Sequence, residues 1–255
     1  MSTSAGIGSR ESGIGDAAAV PIPDSRDPIP GIVATAWLVA RKDLTIEFRT
    51  RSAFLAAVTF ALLAVVIFRF AWDPTAVNAL DLAPGVLWTI FVFSGLLGLH
   101  RSFGVEQADR AVDALLAAPV SREAVFLGKA LANLAFVAAV QLVTVPAVAL
   151  FYDLPAEGGV LGALLGIALL AAVGLVAVGT LFSAMTVNTR LAELLLPMLA
   201  LPFFVPVVTP AALATARLLA GRPLAEVAPM LRLLGGFDLV FLVACTLAFP
   251  FTLEE

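Results

Sequence analysis

The chain has 255 residues, 61% of them hydrophobic and 13% charged, with a formal net charge of −4 and a mean hydropathy of +1.03. A water-soluble domain of this length needs far more polar surface, so soluble enzymes and nucleic-acid binders are excluded and a helical bundle in lipid is the default class. The apolar runs are continuous and rich in Leu, Ala and Val, which excludes an outer-membrane barrel, and the single Cys245 allows no intramolecular disulfide.

Residues 1–30 are rich in Gly, Ser, Ala and Pro. They have neither the basic start nor the apolar stretch of a signal peptide, and read as a disordered tail ahead of a six-span domain covering 31–255. Val33–Phe48 is amphipathic, with Val33, Trp37, Ala40, Leu44 and Phe48 on one face and Arg41, Lys42, Thr45 and Arg49 elsewhere. It is too polar to span and is expected to lie in the cytoplasmic membrane interface.

A helix needs roughly 20 apolar residues to cross the hydrocarbon layer. The first span is about Phe54–Phe70, stopped by Asp73-Pro74, with Arg69 snorkelling at its far end. The second is about Pro84–Leu99. It is short, so part of it is expected to be shielded by protein or to continue as helix into water. The third is about Glu123–Tyr152, with Pro146 as a kink, the fourth about Gly158–Phe182, and the fifth about Leu191–Thr209. An outer segment with Arg217, Arg222 and Arg232 then precedes a sixth span at about Leu233–Leu253. Lys and Arg favour the side holding both termini: Arg41, Lys42, Arg49, Arg51, Arg101, Arg110, Arg122, Lys129 and Arg190 fall there. The turns after spans one and three carry Asp73, Asp81, Asp153 and Glu157 with no cation, so both termini are expected in the cytoplasm. Arg217 and Arg222 conflict with that orientation.

The most informative polar piece is Val105–Pro119. Glu106, Asp109, Arg110 and Asp113 recur at three- and four-residue steps as a charged face, opposite Val105, Ala108, Val112, Leu115 and Leu116. Pro119 stops this helix and Ser121 is placed to cap the next. Its plain reading is a solvated elbow; its functional reading is a surface helix that docks on a cytoplasmic partner.

The order Leu82-Ala83-Pro84-Gly85-Val86-Leu87-Trp88, His100-Arg101-x-Phe103, Glu106…Asp109…Asp113-x-Leu115-Leu116…Pro119…Lys129-x-x-x-Asn133 resembles CcmB, the haem exporter protein B family. The stretch Leu195–Pro206 is similar to the same family's Leu-Pro…Pro…Pro helix, and the likeness runs from about Trp37 to the end. The chain departs from the family's pattern at His100, where relatives carry an acid. The resemblance implies an all-α exporter-type permease, not itself an enzyme, in the bacterial inner membrane. It also implies an ABC-type cytochrome c maturation complex, in which Glu106–Pro119 fits a groove in a separate, CcmA-like ATPase. Two copies of this chain, a haem-handling CcmC-like membrane partner and a small CcmD-like helper complete that picture. The complex would drive haem export or the release of a haem-loaded chaperone. The chain itself has no P-loop and binds no cofactor directly; ATP enters through the partner and haem as the cargo.

Other features are more ambiguous. His100 reads as an interfacial polar residue, with any haem ligands on a partner. Gly158, Gly162 and Gly166 recur every fourth residue and would admit another helix closely. Pro197, Pro202 and Pro206, with Pro210, free backbone carbonyls in the fifth span, a pattern tolerated where helices flex or line a cavity. Asp238 and Glu193 are candidate intramembrane acids, both expected near an interface. The alternatives are an export permease for a lipid, drug or polysaccharide, and an ATP-independent intramembrane enzyme. The latter needs a polar cluster at depth, whereas Asp238, Glu193 and His100 sit on separate segments.

Overall fold

The computed structural model describes residues 31–73, 75, 77–108, 121–155, 159–186, 189 and 191–252, with backbone only at 101–108, 192 and 193. Among these, the chain forms seven helices: α1 Ile32–Thr50, α2 Ser52–Phe70, α3 Ala79–Ala108, α4 Arg122–Phe151, α5 Val160–Thr186, α6 Ala192–Leu219 and α7 Leu224–Thr252. All except α1 are long and apolar enough to cross a bilayer, so the chain is an all-helical, multi-pass membrane protein.

Several boundaries differ from the sequence expectation. α3 starts ahead of Pro84 because Asn78 caps it, its Oδ1 accepting the Leu80 N–H at 3.0 Å. Ser121 does occupy the cap position of α4, but through its backbone carbonyl and not its hydroxyl. The expected outer segment between spans five and six is mostly helix. α6 runs through Pro210 to Leu219, and α7 already begins at Leu224, so Arg217 and Arg232 lie on helices. The turn is closed by Gly221 at φ 68, a left-handed conformation that favours glycine. Arg217 Nη1 donates to the Glu226 carbonyl at 2.8 Å across it. At the α2–α3 connection the Thr75 hydroxyl and then its backbone N–H, at 2.7 and 2.8 Å, hold the exposed Asp73 carboxyl below its usual pKa.

α3 is the most buried of the six spans, as its shortness in apolar residues implied, and α2 and α7 are the least. Trp88 and Phe91 of α3 meet edge-on at 5.6 Å in the core, and Trp88 Nε1 donates to Thr215 Oγ1 of α6 at 3.1 Å. Leu55, Ile67 and Phe70 of α2 and Leu239, Val240 and Leu247 of α7 are exposed, the surface that lipid covers. Among the described residues, close helix approaches are made at four glycines. A Cβ at Gly98 would collide with the Phe136 ring, at Gly128 with Ala36 and Val39, at Gly174 with Asp238 and Val207, and at Gly179 with Leu99.

α2 lies along the second half of α4. Phe54 meets Phe136 edge-on at 6.4 Å near one end, and Arg69 Nε donates to the Phe151 carbonyl at 2.7 Å at the other. The first half of α4 is thereby left to α1. The face that α1 turns to the protein is Thr35, Ala36, Val39 and Ala40, whereas Val33, Trp37 and Phe48 are exposed. The expected apolar face is therefore divided. Small side chains meet Gly128, where the backbones come close, and the large ones face outward to lipid.

Lys129, fully buried, reaches Asp43 Oδ2 at 3.2 Å and pins α1 to α4; Lys42 holds the other oxygen at 3.1 Å. Asp43→Ala removes the Asp43 carboxylate from the buried Lys129 ammonium. It is expected to cost about 3 kcal/mol, a fall of roughly 9 °C in the melting temperature of the detergent-solubilised protein. Asp43→Asn should recover part of this, and an unchanged melting curve for the Ala variant would show that the pair does not hold α1.

Candidate functional site

α3 continues as helix to Ala108, past the apolar span that ends at His100. With 30 residues it is about 45 Å long, more than the hydrocarbon layer requires. Glu106 falls on this extension. Asp109, Arg110, Asp113, Leu115, Leu116 and Pro119 lie outside the described residues, between the end of α3 and the start of α4. What the structure gives is the grip of those two helices on the rest of the bundle. On the α3 side, Ser183 Oγ of α5 donates to the Leu99 carbonyl at 2.8 Å, and Leu99 packs on Gly179. On the α4 side, Arg122 Nη1 donates to the Pro250 carbonyl of α7 at 3.0 Å, and Phe126 packs on Phe249 with ring centres 5.3 Å apart. The Lys129–Asp43 pair adds α1. The two helices that flank segment 105–119 are thereby joined to α5, α7 and α1.

Deeper in the bundle, polar side chains are spread along the helix contacts. Asn133 Nδ2 donates to Thr180 Oγ1 at 2.9 Å, and Gln141 Nε2 to the Ala168 carbonyl at 3.1 Å. Such bonds satisfy groups that lipid cannot. Asp238 differs. It is only 4% exposed and neither carboxyl oxygen has a hydrogen-bond partner among the described residues. It lies halfway along α7, against Gly174 at the middle of α5 and beside Val207 of α6. α7 starts well before the Leu233 expected for the sixth span, so Asp238 falls at the middle of its helix and not near an end. Glu193 falls in the first turn of α6. The half-buried His100 is on α3, and among the described residues no three His, Cys, Asp or Glu side chains come together.

Gly158 lies outside the described residues, and among the described residues no other helix brings an atom within 4 Å of a Cβ placed at Gly162 or Gly166. α6 runs unbroken through its prolines, with Pro202 exposed, Pro197 and Pro206 half-buried and Pro210 buried. Sequence reasoning missed the Asp43–Lys129, Asn133–Thr180, Trp88–Thr215 and Arg122–Pro250 ties. Their members are far apart in the chain, and the only local signal was a polar residue at a position otherwise reading as apolar.

Comparison with known proteins places these features in context. A family model described as "CcmB protein" matches residues 34–255. The chain is 32% identical to "Heme exporter protein B" of Paracoccus denitrificans over 207 residues, 81% of this chain and 89% of that one. It is 32% identical over 168 residues to the protein of the same description in Rhodobacter capsulatus, covering 65% and 75% of the two chains. The corresponding Escherichia coli protein matches at 28% over 97 residues, 38% of this chain and 44% of its own.

Proposed function

Since this chain belongs to the CcmB family, we propose that it works as the membrane lever of an ABC-type haem exporter serving cytochrome c maturation. The family is the permease component of that exporter, a non-catalytic subunit and not an enzyme in itself. Segment 105–119 is then the surface on which a separate CcmA-like ATPase docks. Glu106, Asp109, Arg110 and Asp113 supply the charged contacts; Leu115, Leu116 and Pro119 supply the apolar ones. The observation that carries this reading is that both helices flanking the segment are keyed to distant parts of the bundle, α3 through Leu99–Ser183 and α4 through Arg122–Pro250. A solvated elbow has no need of such ties, whereas a lever requires them.

In this reading two copies of the chain operate with two ATPases, a CcmC-like haem-handling partner and a CcmD-like helper in the bacterial inner membrane. Both termini face the cytoplasm, and 31–255 is the permease domain behind a tail at 1–30. The Gly162 and Gly166 face of α5, which no described helix covers, is available to the second copy or to a partner helix. Pro197, Pro202 and Pro206 weaken the backbone bonding of α6, and Asp238 weakens the contact of α7 with α5 and α6. Relative movement of these helices is therefore the cheapest response to a push on the lever. ATP-driven closure would release a haem-loaded chaperone from the partner, a role that asks for no haem ligand within this chain.

Purification of the complex from native membranes with subunit identification and an absorption spectrum tests the proposal directly. An ATPase subunit and a haem-handling membrane protein are expected to co-purify with a haem band. A lone, fully active chain, or a stable complex whose cargo is a lipid or polysaccharide, would overturn it. Labelling of single cysteines introduced at 110 and 155 is expected to place the first inside and the second outside; the reverse pattern would overturn the orientation.

A further inference from the structure

A cleft of about 670 Å³ opens at the elbow between α1 and α2, backed by the middle of α4. Its depth in the membrane follows from the length of α2. That helix has 19 residues, about 29 Å, which is only just the thickness of the hydrocarbon layer, so its first turn must stand at the lipid headgroup boundary. The cleft is polar at that level and apolar beyond it. Glu47 and Arg51 of the elbow line its outer end; Phe54, Phe136 and Ala139 line the part that runs along α2 and α4.

The two charged groups retain unused bonding capacity. Glu47 Oε1 accepts the Phe54 N–H at 2.9 Å, and Oε2 has no partner among the described residues. Arg51 Nε donates to the Phe48 carbonyl at 3.2 Å, and its terminal nitrogens have no partner among the described residues. Arg51 also has φ 53, a left-handed conformation that a side chain with a Cβ adopts at a cost. Its backbone N–H is held there by the Glu47 carbonyl at 2.7 Å. Asp43, which also borders the cleft, is taken by Lys42 and Lys129.

We infer that this cleft is a specific site for one phosphatidylethanolamine molecule, with the phosphate on Arg51, the primary ammonium on Glu47 and an acyl chain along Phe54, Phe136 and Ala139. A guanidinium and a carboxylate lining one cleft match a headgroup carrying both charges. The ethanolamine ammonium donates hydrogen bonds to a carboxylate; the quaternary choline head has no N–H to donate, and phosphatidylglycerol has no cation for Glu47. The occupied site braces α1 against α2 at their junction, where the pair otherwise leaves an open apolar notch. This inference is independent of what the complex moves.

The test is a lipid competition on the purified full-length chain. Protein exchanged into detergent with equimolar phosphatidylethanolamine, phosphatidylglycerol and phosphatidylcholine is examined by native mass spectrometry. The wild type is expected to retain about one phosphatidylethanolamine per chain and little of the others. Glu47→Gln, which keeps an acceptor for the Phe54 N–H, and Arg51→Asn, which tolerates the left-handed backbone, should each weaken retention about tenfold, the effect of losing one charge-assisted hydrogen bond. Ala139→Phe, filling the apolar end, should abolish it. Equal retention of the three lipids, preference for phosphatidylglycerol, or full retention by both charge variants would overturn the assignment. So would disulfide cross-linking of two chains through cysteines placed at Leu55, since a second copy would then fill the notch.

Discussion

Replacement of Glu106, Asp109 and Asp113 together by Ala is expected to abolish c-type cytochrome formation while leaving membrane insertion intact. The three acids recur at helical spacing, so their removal erases one face and leaves the Leu115-Leu116-Pro119 end in place. Charged contacts at the centre of a docking surface contribute about 2–4 kcal/mol when lost as a group, which weakens capture of the ATPase roughly a hundredfold. The anchors of the lever (Ser183 to Leu99, Arg122 to Pro250, Lys129 to Asp43) are untouched by the change, so the solubilised protein should melt as the wild type does. Affinity pull-down of the ATPase, haem staining of cytochromes and a melting curve together decide the matter. Unchanged pull-down with normal cytochromes would make segment 105–119 a passive connection. Pull-down lost together with thermal stability would mean that the acids support the fold.

The number of spans and their approximate centres were legible because lipid imposes a single demand: an unbroken apolar stretch of sufficient length. Helix ends were less so. Arg217 and Arg232 read as the edges of a polar segment, but an arginine near a membrane boundary extends a helix as readily as it ends one. Only Gly221 and Pro223 interrupt the backbone there. Interhelical contacts were the hardest to foresee. The regular Gly158–Gly162–Gly166 pattern was the visible one, yet among the described residues the close approaches fall at Gly98, Gly128, Gly174 and Gly179, each against a partner distant in sequence. Periodicity identifies a face of a helix but not what meets that face. The same limit explains Asp43, which reads as a solvated charge on an amphipathic helix until Lys129, on another helix, is brought against it.

Asp238 offers the second large effect, and one whose sign separates function from architecture. A buried carboxyl without a hydrogen bond costs stability, about 1–3 kcal/mol or more, so Asp238→Ala should not lower the melting temperature and is expected to raise it by about 5 °C. If the weakened contact between α7 and α5 serves the working cycle, the same variant should lose at least about nine-tenths of cytochrome c maturation, the stability–activity trade that strained sites show. A Cβ at Gly174 would meet Asp238 Oδ1 and lie 2.9 Å from a Val207 methyl. Gly174→Ala alone should thus destabilise by about 1–3 kcal/mol. In the double variant the shortened side chain at 238 makes room for that methyl group, and the two changes should couple by about 1–2 kcal/mol. Additive melting shifts would mean that Gly174 and Asp238 are not in contact. A loss of stability in Asp238→Ala would make Asp238 an anchor of the bundle, and normal cytochrome levels in the same variant would remove it from the working cycle.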